Sequence, residues 1–294
     1  MATTAVSTKT TVKTIVKAPA EKVWKLWTVP IHIMHWNNAS DDWHTSFAEN
    51  DLRVGGKFTC HMEAKNGSEG FDFSGKYSKV VTYRQIEYIM DDGRKVQLSF
   101  VPDEDGTSIT ETFELESTHT MEEQHNGWQS ILDNFRRYAE SPSILDNTHF
   151  EISINASADK VYRTMTDEKK FGDWTAEFSP SSHFQGSWQK GSKILFLGEG
   201  PDGKIGGMVS RIKENIPGRF ISIEHQGMVK DGQEVFSGPE VEKWSGALEN
   251  YTLREQNGKT LLLVDTNVDS EFFSYFSETW PKALKKLKEI CEAG

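Results

Sequence analysis

Apolar residues at Trp128, Ile131, Leu132, Phe135, Tyr138 and Ala139 follow a 3.6-residue period, the signature of one buried face on a helix. The same spacing returns at Trp280, Ala283, Leu284, Leu287, Ile290 and Cys291, displaced by about 152 residues. Each predicted helix closes one half of the chain. The beginnings of the halves also agree. Ala20-Glu21-Lys22-Val23-Trp24 is matched by Ala158-Asp159-Lys160-Val161-Tyr162, and Trp36 by Trp174, both displaced by about 138 residues. A unit of about 140 residues therefore occurs twice, and the second copy carries about 14 more residues between its helices. The period is too long for a solenoid and predicts two tandem domains, over 8–141 and 146–294.

Within the first unit the dominant period is two. Val12, Thr14 and Val16 alternate with their neighbours and predict a strand. Pro19 suits the first turn of a helix with Val23, Trp24 and Trp27 on its apolar stripe, and Pro30 is expected to end it. Residues 31–50 read as loop or short helix. Alternation then returns at Phe58, Cys60 and Met62, at Phe71 and Phe73 and on through Val81, over residues 84–90, at Val96, Leu98 and Phe100, and at Ile109, Glu111, Phe113 and Leu115. Asn66-Gly67, Asp92-Gly93 and Asp103 to Gly106 punctuate these strands as turns. Thr120 and Glu123 have capping-box spacing before the long helix.

The second unit repeats the order. Strands are predicted at Phe150, Ile152 and Ile154, over 193–197, 206–213, 219–224, 250–255 and 260–268, with Ser157 as a helix N-cap. Residues 226–248, rich in charge and glycine, read as an elaborated loop. Pro281 predicts that the closing helix starts near Thr279 or kinks there. Runs of hairpin-linked strands with segregated helices define an α+β class, with one long helix per unit to cover an antiparallel sheet.

Net charge is −11, shared about evenly by the halves, and no basic run interleaves with aromatics. Nucleic acid and anionic membrane surfaces are thus disfavoured as partners. Neither a signal-peptide pattern nor an apolar run of roughly 18 residues occurs, so a cytoplasmic location without a membrane span is expected. The two cysteines, Cys60 and Cys291, fall in different units and read as small core residues.

Candidate chemistry is sparse. Gly198 to Gly203 fits G-x-G-x-x-G, but a strand rather than a helix is predicted to follow, which reads as a turn. His32 and His35 have helical spacing, with Asp41, Asp42, His44 and His61 nearby, yet no zinc motif accompanies them. No nucleophile elbow is present. No metal and no cofactor is expected. Glu111 shares the alternation face of Ile109, Phe113 and Leu115. It is either a buried carboxyl with a raised pKa, or a carboxylate on a solvated or ion-paired face. Its counterpart in the second unit is Val264, so any such role belongs to the first unit. The nine tryptophans and seventeen phenylalanines form either solid cores or the walls of cavities between helix and sheet.

Together these features resemble the START-like (SRPBCC) superfamily, the helix-grip fold of birch-pollen-allergen-like and polyketide-cyclase-like proteins. The resemblance is strongest to the family of the activator of heat shock protein 90 ATPase, in its C-terminal domain type. It rests on Pro19-Ala20-Glu21-Lys22-Val23-Trp24, Trp36, Asp51 to Phe58, Phe71-Asp72-Phe73-Ser74-Gly75 and Gly127-Trp128. In the second copy Trp174, Gly191, Trp280-Pro281 and Leu284 agree more loosely. The resemblance implies about six antiparallel strands gripping the long helix, with a tunnel between.

The expected function is binding of an apolar, lipid-like or polyketide-like small molecule. The alternatives are a co-chaperone or stress-response protein, with a chaperone as partner, and a cyclase- or lyase-type enzyme using Glu111 or His61. The expected pocket residues are Trp36, Phe58, Phe71, Phe73, Phe100, Glu111, Phe113, Trp128, Ile131 and Phe135 in the first unit. In the second they are Trp174, Phe196, Trp280, Ala283, Leu284 and Leu287. Because Ala283 and Leu287 replace Ile131 and Phe135, the second cavity is expected to be the larger.

Overall fold

The computed structural model describes residues 8–141, 145–200 and 203–293. The chain divides into two compact units between residues 144 and 145. In the first, β1 (Lys9–Val16) leads into α1 (Ala20–Thr28) and α2 (Pro30–Trp36). Six strands follow: β2 (Trp43–Asn50), β3 (Lys57–Ala64), β4 (Gly70–Val81), β5 (Gln85–Met90), β6 (Lys95–Asp103) and β7 (Gly106–Glu114). The unit closes on α3 (Met121–Ala139). The strands form one antiparallel sheet in the order β1-β7-β6-β5-β4-β3-β2, an up-and-down meander whose last strand is joined by the first.

The second unit repeats this plan. Its elements are β8 (Asp146–Ile154), α4 (Ala158–Thr166), α5 (Glu168–Thr175), β9 (His183–Gly186), β10 (Lys193–Glu199), β11 (Ile205–Ile216) and β12 (Phe220–Lys230). Then come β13 (Gln233–Val235), α6 (Pro239–Glu242), β14 (Leu248–Gln256), β15 (Lys259–Val268) and α7 (Phe273–Glu292). The sheet order is β8-β15-β14-β12-β11-β10-β9, with β13 added to β12. The α+β helix-grip architecture is thus present twice.

Long helix and first strand are tied together in each copy. In α3, the Gln129 amide bridges both backbone groups of Lys13, and Glu140, which caps the helix C-terminus, accepts from the Lys17 N–H at 2.9 Å. In α7, Lys288 donates to the Ser153 carbonyl and Glu292 accepts from the Asn155 N–H. These side chains occupy the open edge of β1 and β8, which would otherwise present unpaired backbone groups. The start of α3 is fixed by the expected capping box between Thr120 and Glu123. On its inner face Leu132, Phe135 and Ala139 are buried, with Trp27 and Trp36 edge-on to Phe135 at 4.7 and 4.9 Å.

Several expectations need correction. Pro30 does not end the first helix but opens the second; α1 stops at Thr28 because Val29, preceding a proline, is extended. Strand β2 lies within the stretch read as loop. Its buried run Thr45, Ser46, Phe47 and Ala48 crosses a register shift, so it lacks alternation. With β2, and with β9 in the second copy, the sheets have seven and eight strands rather than about six. Residues 226–248 are not one loop: β12 runs on to Lys230, and β13 and α6 follow. Of the two readings of Pro281, a helix start near Thr279 is overturned: α7 starts at Phe273 and keeps Pro281 inside it. In the G-x-G-x-x-G stretch, Pro201 and Asp202 lie outside the described residues. Gly203 donates to the Gly200 carbonyl, and the chain turns from β10 straight into β11. Residues 142–144, between the two expected domains, also lie outside the described residues.

Both cysteines are free and buried. Among the described residues no helix is long and apolar enough to cross a membrane.

Candidate ligand cavities

Strand alternation sends one set of side chains from each sheet toward the long helix, and near the N-terminal half of that helix they fail to meet it. In the first unit the gap is a cavity of about 500 Å³. Phe58, Cys60 and Met62 from β3, Phe71, Phe73 and Tyr77 from β4, and Ile86 and Tyr88 from β5 form its floor. Helix α3 supplies Gly127, Trp128 and Ile131 above, and Trp27, Ile33, Trp36 and Trp43 close the side. Phe113 stacks on Trp128 at 4.1 Å and 14°, fixing the indole that forms one wall. Phe71 is half exposed and packs against Trp43 at 5.8 Å.

Glu111 is the buried carboxyl of this wall, 5% exposed. It lies opposite Val12 on β1 and Leu98 on β6, on the inner face of the sheet. Its partner is the Tyr88 hydroxyl, which reaches it across β6 and donates a hydrogen bond to a carboxyl oxygen. Burial pushes the Glu111 carboxyl up to about 8, and the Tyr88 bond only partly opposes this. The reading of Glu111 as solvated or ion-paired is therefore overturned. Desolvation also holds the Cys60 thiol at about 12, so it stays neutral.

The second cavity has about 510 Å³. It is lined by Phe171, Trp174, Phe178, Trp188, Phe196 and Trp280, and by Phe272, Tyr275 and Phe276 from the start of α7 and the turn before it. Its polar groups differ in kind and place. Register makes Val264 the counterpart of Glu111, since Val12 pairs with Glu111 and Phe150 with Val264. The same register equates Thr107 with Thr260, whose hydroxyls donate to the carbonyls of Ala18 and Ala156 at 2.8 and 2.7 Å. Instead of Glu111, the second cavity holds Glu249 and Tyr251 on β14 and His225 on β12. The Tyr251 hydroxyl donates to the Glu249 carboxylate. His225 Nε2 lies 3.7 Å from that carboxylate, and its Nδ1 is bonded to the Ser210 hydroxyl at 2.9 Å.

Of the expected pocket residues, Trp36, Phe58, Phe71, Phe73, Glu111, Trp128 and Ile131 line the first cavity, and Trp174, Phe196 and Trp280 the second. Phe100, Phe113 and Phe135 sit instead in solid core, as do Ala283, Leu284 and Leu287. The two cavities are essentially equal, about 510 against about 500 Å³, so the second is not the clearly larger one expected. Ala283 and Leu287 lie beyond its end, so their size does not set its volume. His61 is not in the tunnel. It faces outward beside Asp72, with Nδ1 2.7 Å from that carboxylate.

His32 and His35 serve packing: His32 Nδ1 is 2.7 Å from the Tyr138 hydroxyl, and His35 stacks on the same ring at 5.4 Å, pinning α2 to α3. Among the described residues no group of three or more His, Cys, Asp or Glu is arranged to hold a metal. The sequence reading missed Tyr88 and Tyr251. Both lie on inward alternation with Ile86 and Leu253, so period-two counting carries the signal for them.

The AHSA1-like protein from Aeromonas hydrophila is similar at 45% identity over 45% of this chain and 92% of that one, with a TM-score of 0.44. A protein from Cytophaga hutchinsonii is similar at 48% identity over 46% of this chain and 92% of that one, with a TM-score of 0.40. The di-domain ARO/CYC StfQ from the steffimycin biosynthetic pathway spans 98% of this chain and 97% of its own at 12% identity, with a TM-score of 0.48. No curated protein matches the chain. The family profile of the Activator of Hsp90 ATPase homolog 1-like proteins matches twice, over residues 17–140 and 155–292. The chain therefore belongs to the Activator of Hsp90 ATPase homolog 1-like family, as a tandem of two of its domains.

Proposed function

We propose that the chain binds small apolar molecules, one in each domain, between the sheet and its closing helix. The observation that carries this reading is the pair of aromatic-lined cavities, each of about 500 Å³. That volume lies in the range of small-molecule sites. Solid packing of the same residues would leave no such gap. Native mass spectrometry of the full chain with 1-naphthylmethanol tests it. Two bound molecules per chain are expected, and one in a Gly127→Phe variant, whose new ring occupies the first cavity. No binding to the parent chain overturns the reading.

A second reading, an acid–base enzyme of the cyclase or lyase kind, is favoured by His225, Glu249 and Tyr251 converging on one cavity. Exchange of the α-hydrogens of 2-tetralone for solvent deuterium measures proton abstraction by such a group. Catalysed exchange that is lost in Glu249→Gln supports this reading, and exchange no faster than in buffer removes it.

A further inference from the structure

The first cavity combines two features that point to the same ligand charge. Its walls are rich in aromatic rings, among them Trp36, Phe58, Phe73 and Trp128, and aromatic rings attract cations over their faces. Set into these walls is one buried carboxyl, Glu111, bonded to Tyr88. Among the described residues no lysine, arginine or histidine forms an ion pair with it. A carboxyl buried without a cation is an uncommon arrangement that a ligand cation would complete. We propose that the first cavity is a receptor for a hydrophobic ammonium ion, held by the Glu111 carboxylate and the surrounding ring faces. This rests on reading the cavity as a ligand site and names the chemistry of its ligand.

The other ionisable groups on the cavity leave this assignment intact. Cys60 on β3 and Tyr77 on β4 are held neutral by burial, as is Tyr88 on β5. Arg94, before β6, is committed to Asp92, with Nε 2.8 Å from that carboxylate. His119 is bonded to Glu116, and Glu123 at the start of α3 caps Thr120 and is held below the usual carboxyl range. The second cavity offers an internal contrast, because its carboxylate, Glu249, already has His225 beside it.

Binding moves one proton. In the empty cavity Glu111 holds its proton. When an ammonium ion enters, the Glu111 O–H breaks, the carboxylate pairs with the ammonium, and the proton leaves to solvent. Affinity for the amine should therefore rise about tenfold per pH unit up to about pH 8 and level off above it.

The test uses the full chain and compares 1-naphthylmethylamine with 1-naphthylmethanol by calorimetric titration at pH 6, 7 and 8. At pH 8 the amine is expected to bind at least tenfold more tightly than the alcohol, with the stated pH slope. In Glu111→Gln the amine-to-alcohol ratio should fall to near one and the slope should vanish. Should that variant fail to fold, the slope in the parent chain decides. Alcohol binding with no amine preference and no slope overturns this inference and leaves the proposed function standing. Binding of neither probe overturns both.

Discussion

Glu111 and Val264 occupy one position of the repeated sheet, Glu111 opposite Val12 on β1 and Val264 opposite Phe150 on β8. The two domains share backbone register at this point and differ in whether it carries a titratable group. The scaffold is shared, while the tyrosine-bonded carboxyl stands on β7 in the first cavity and on β14, the counterpart of β6, in the second.

That difference sets a pH dependence for the first domain. The folded carboxyl titrates near 8 against an ordinary value of 4.5, so folded protein keeps a proton that the unfolded chain releases in this window. The first domain should be most stable below the window, lose up to about 1.4 kcal/mol per pH unit across it, and level off above. Urea unfolding at pH 5, 7 and 9 measures this. Glu111→Gln should show a much flatter profile; an equally steep one would mean that another group is responsible.

Gly127 lies within α3, and a Cβ built there meets no atom within 4 Å. Gly127→Ala should stabilise the first domain by about 1 kcal/mol, because alanine loses less backbone freedom in a helix. A lowered denaturation midpoint would show that the glycine is needed for closer contacts than those seen.

Thr120 accepts the Glu123 N–H while Glu123 reaches back to the Thr120 N–H. Removing the hydroxyl in Thr120→Ala leaves a first-turn donor unmet and should cost about 1 kcal/mol. Thermal unfolding checks the size, and a cost confined to the second domain's transition would contradict the assignment.

Pro281 sits inside α7, where it has no N–H to give the Ser277 carbonyl. The turn before it carries Phe276 and Trp280, both on the second cavity. Pro281→Ala should restore that bond and slow amide hydrogen exchange over residues 276–280. Unchanged exchange there would show that tertiary contacts already hold the turn closed.

The chain itself determined the duplication, the α+β class, the capping box that opens α3 and the inward face of the strands with clear alternation, β3 to β7 among them. These follow from local spacing, which survives translation from residue order to backbone geometry. Only the tertiary structure decided where packing stops. Phe113 and Phe73 alternate identically in sequence, yet Phe113 is fully buried behind Trp128 while Phe73 faces a cavity. It likewise placed Tyr88 against Glu111 and set His225 beside Glu249. Such meetings depend on how far sheet and helix diverge, a distance fixed by the summed volume of side chains from many strands and by no one stretch of sequence.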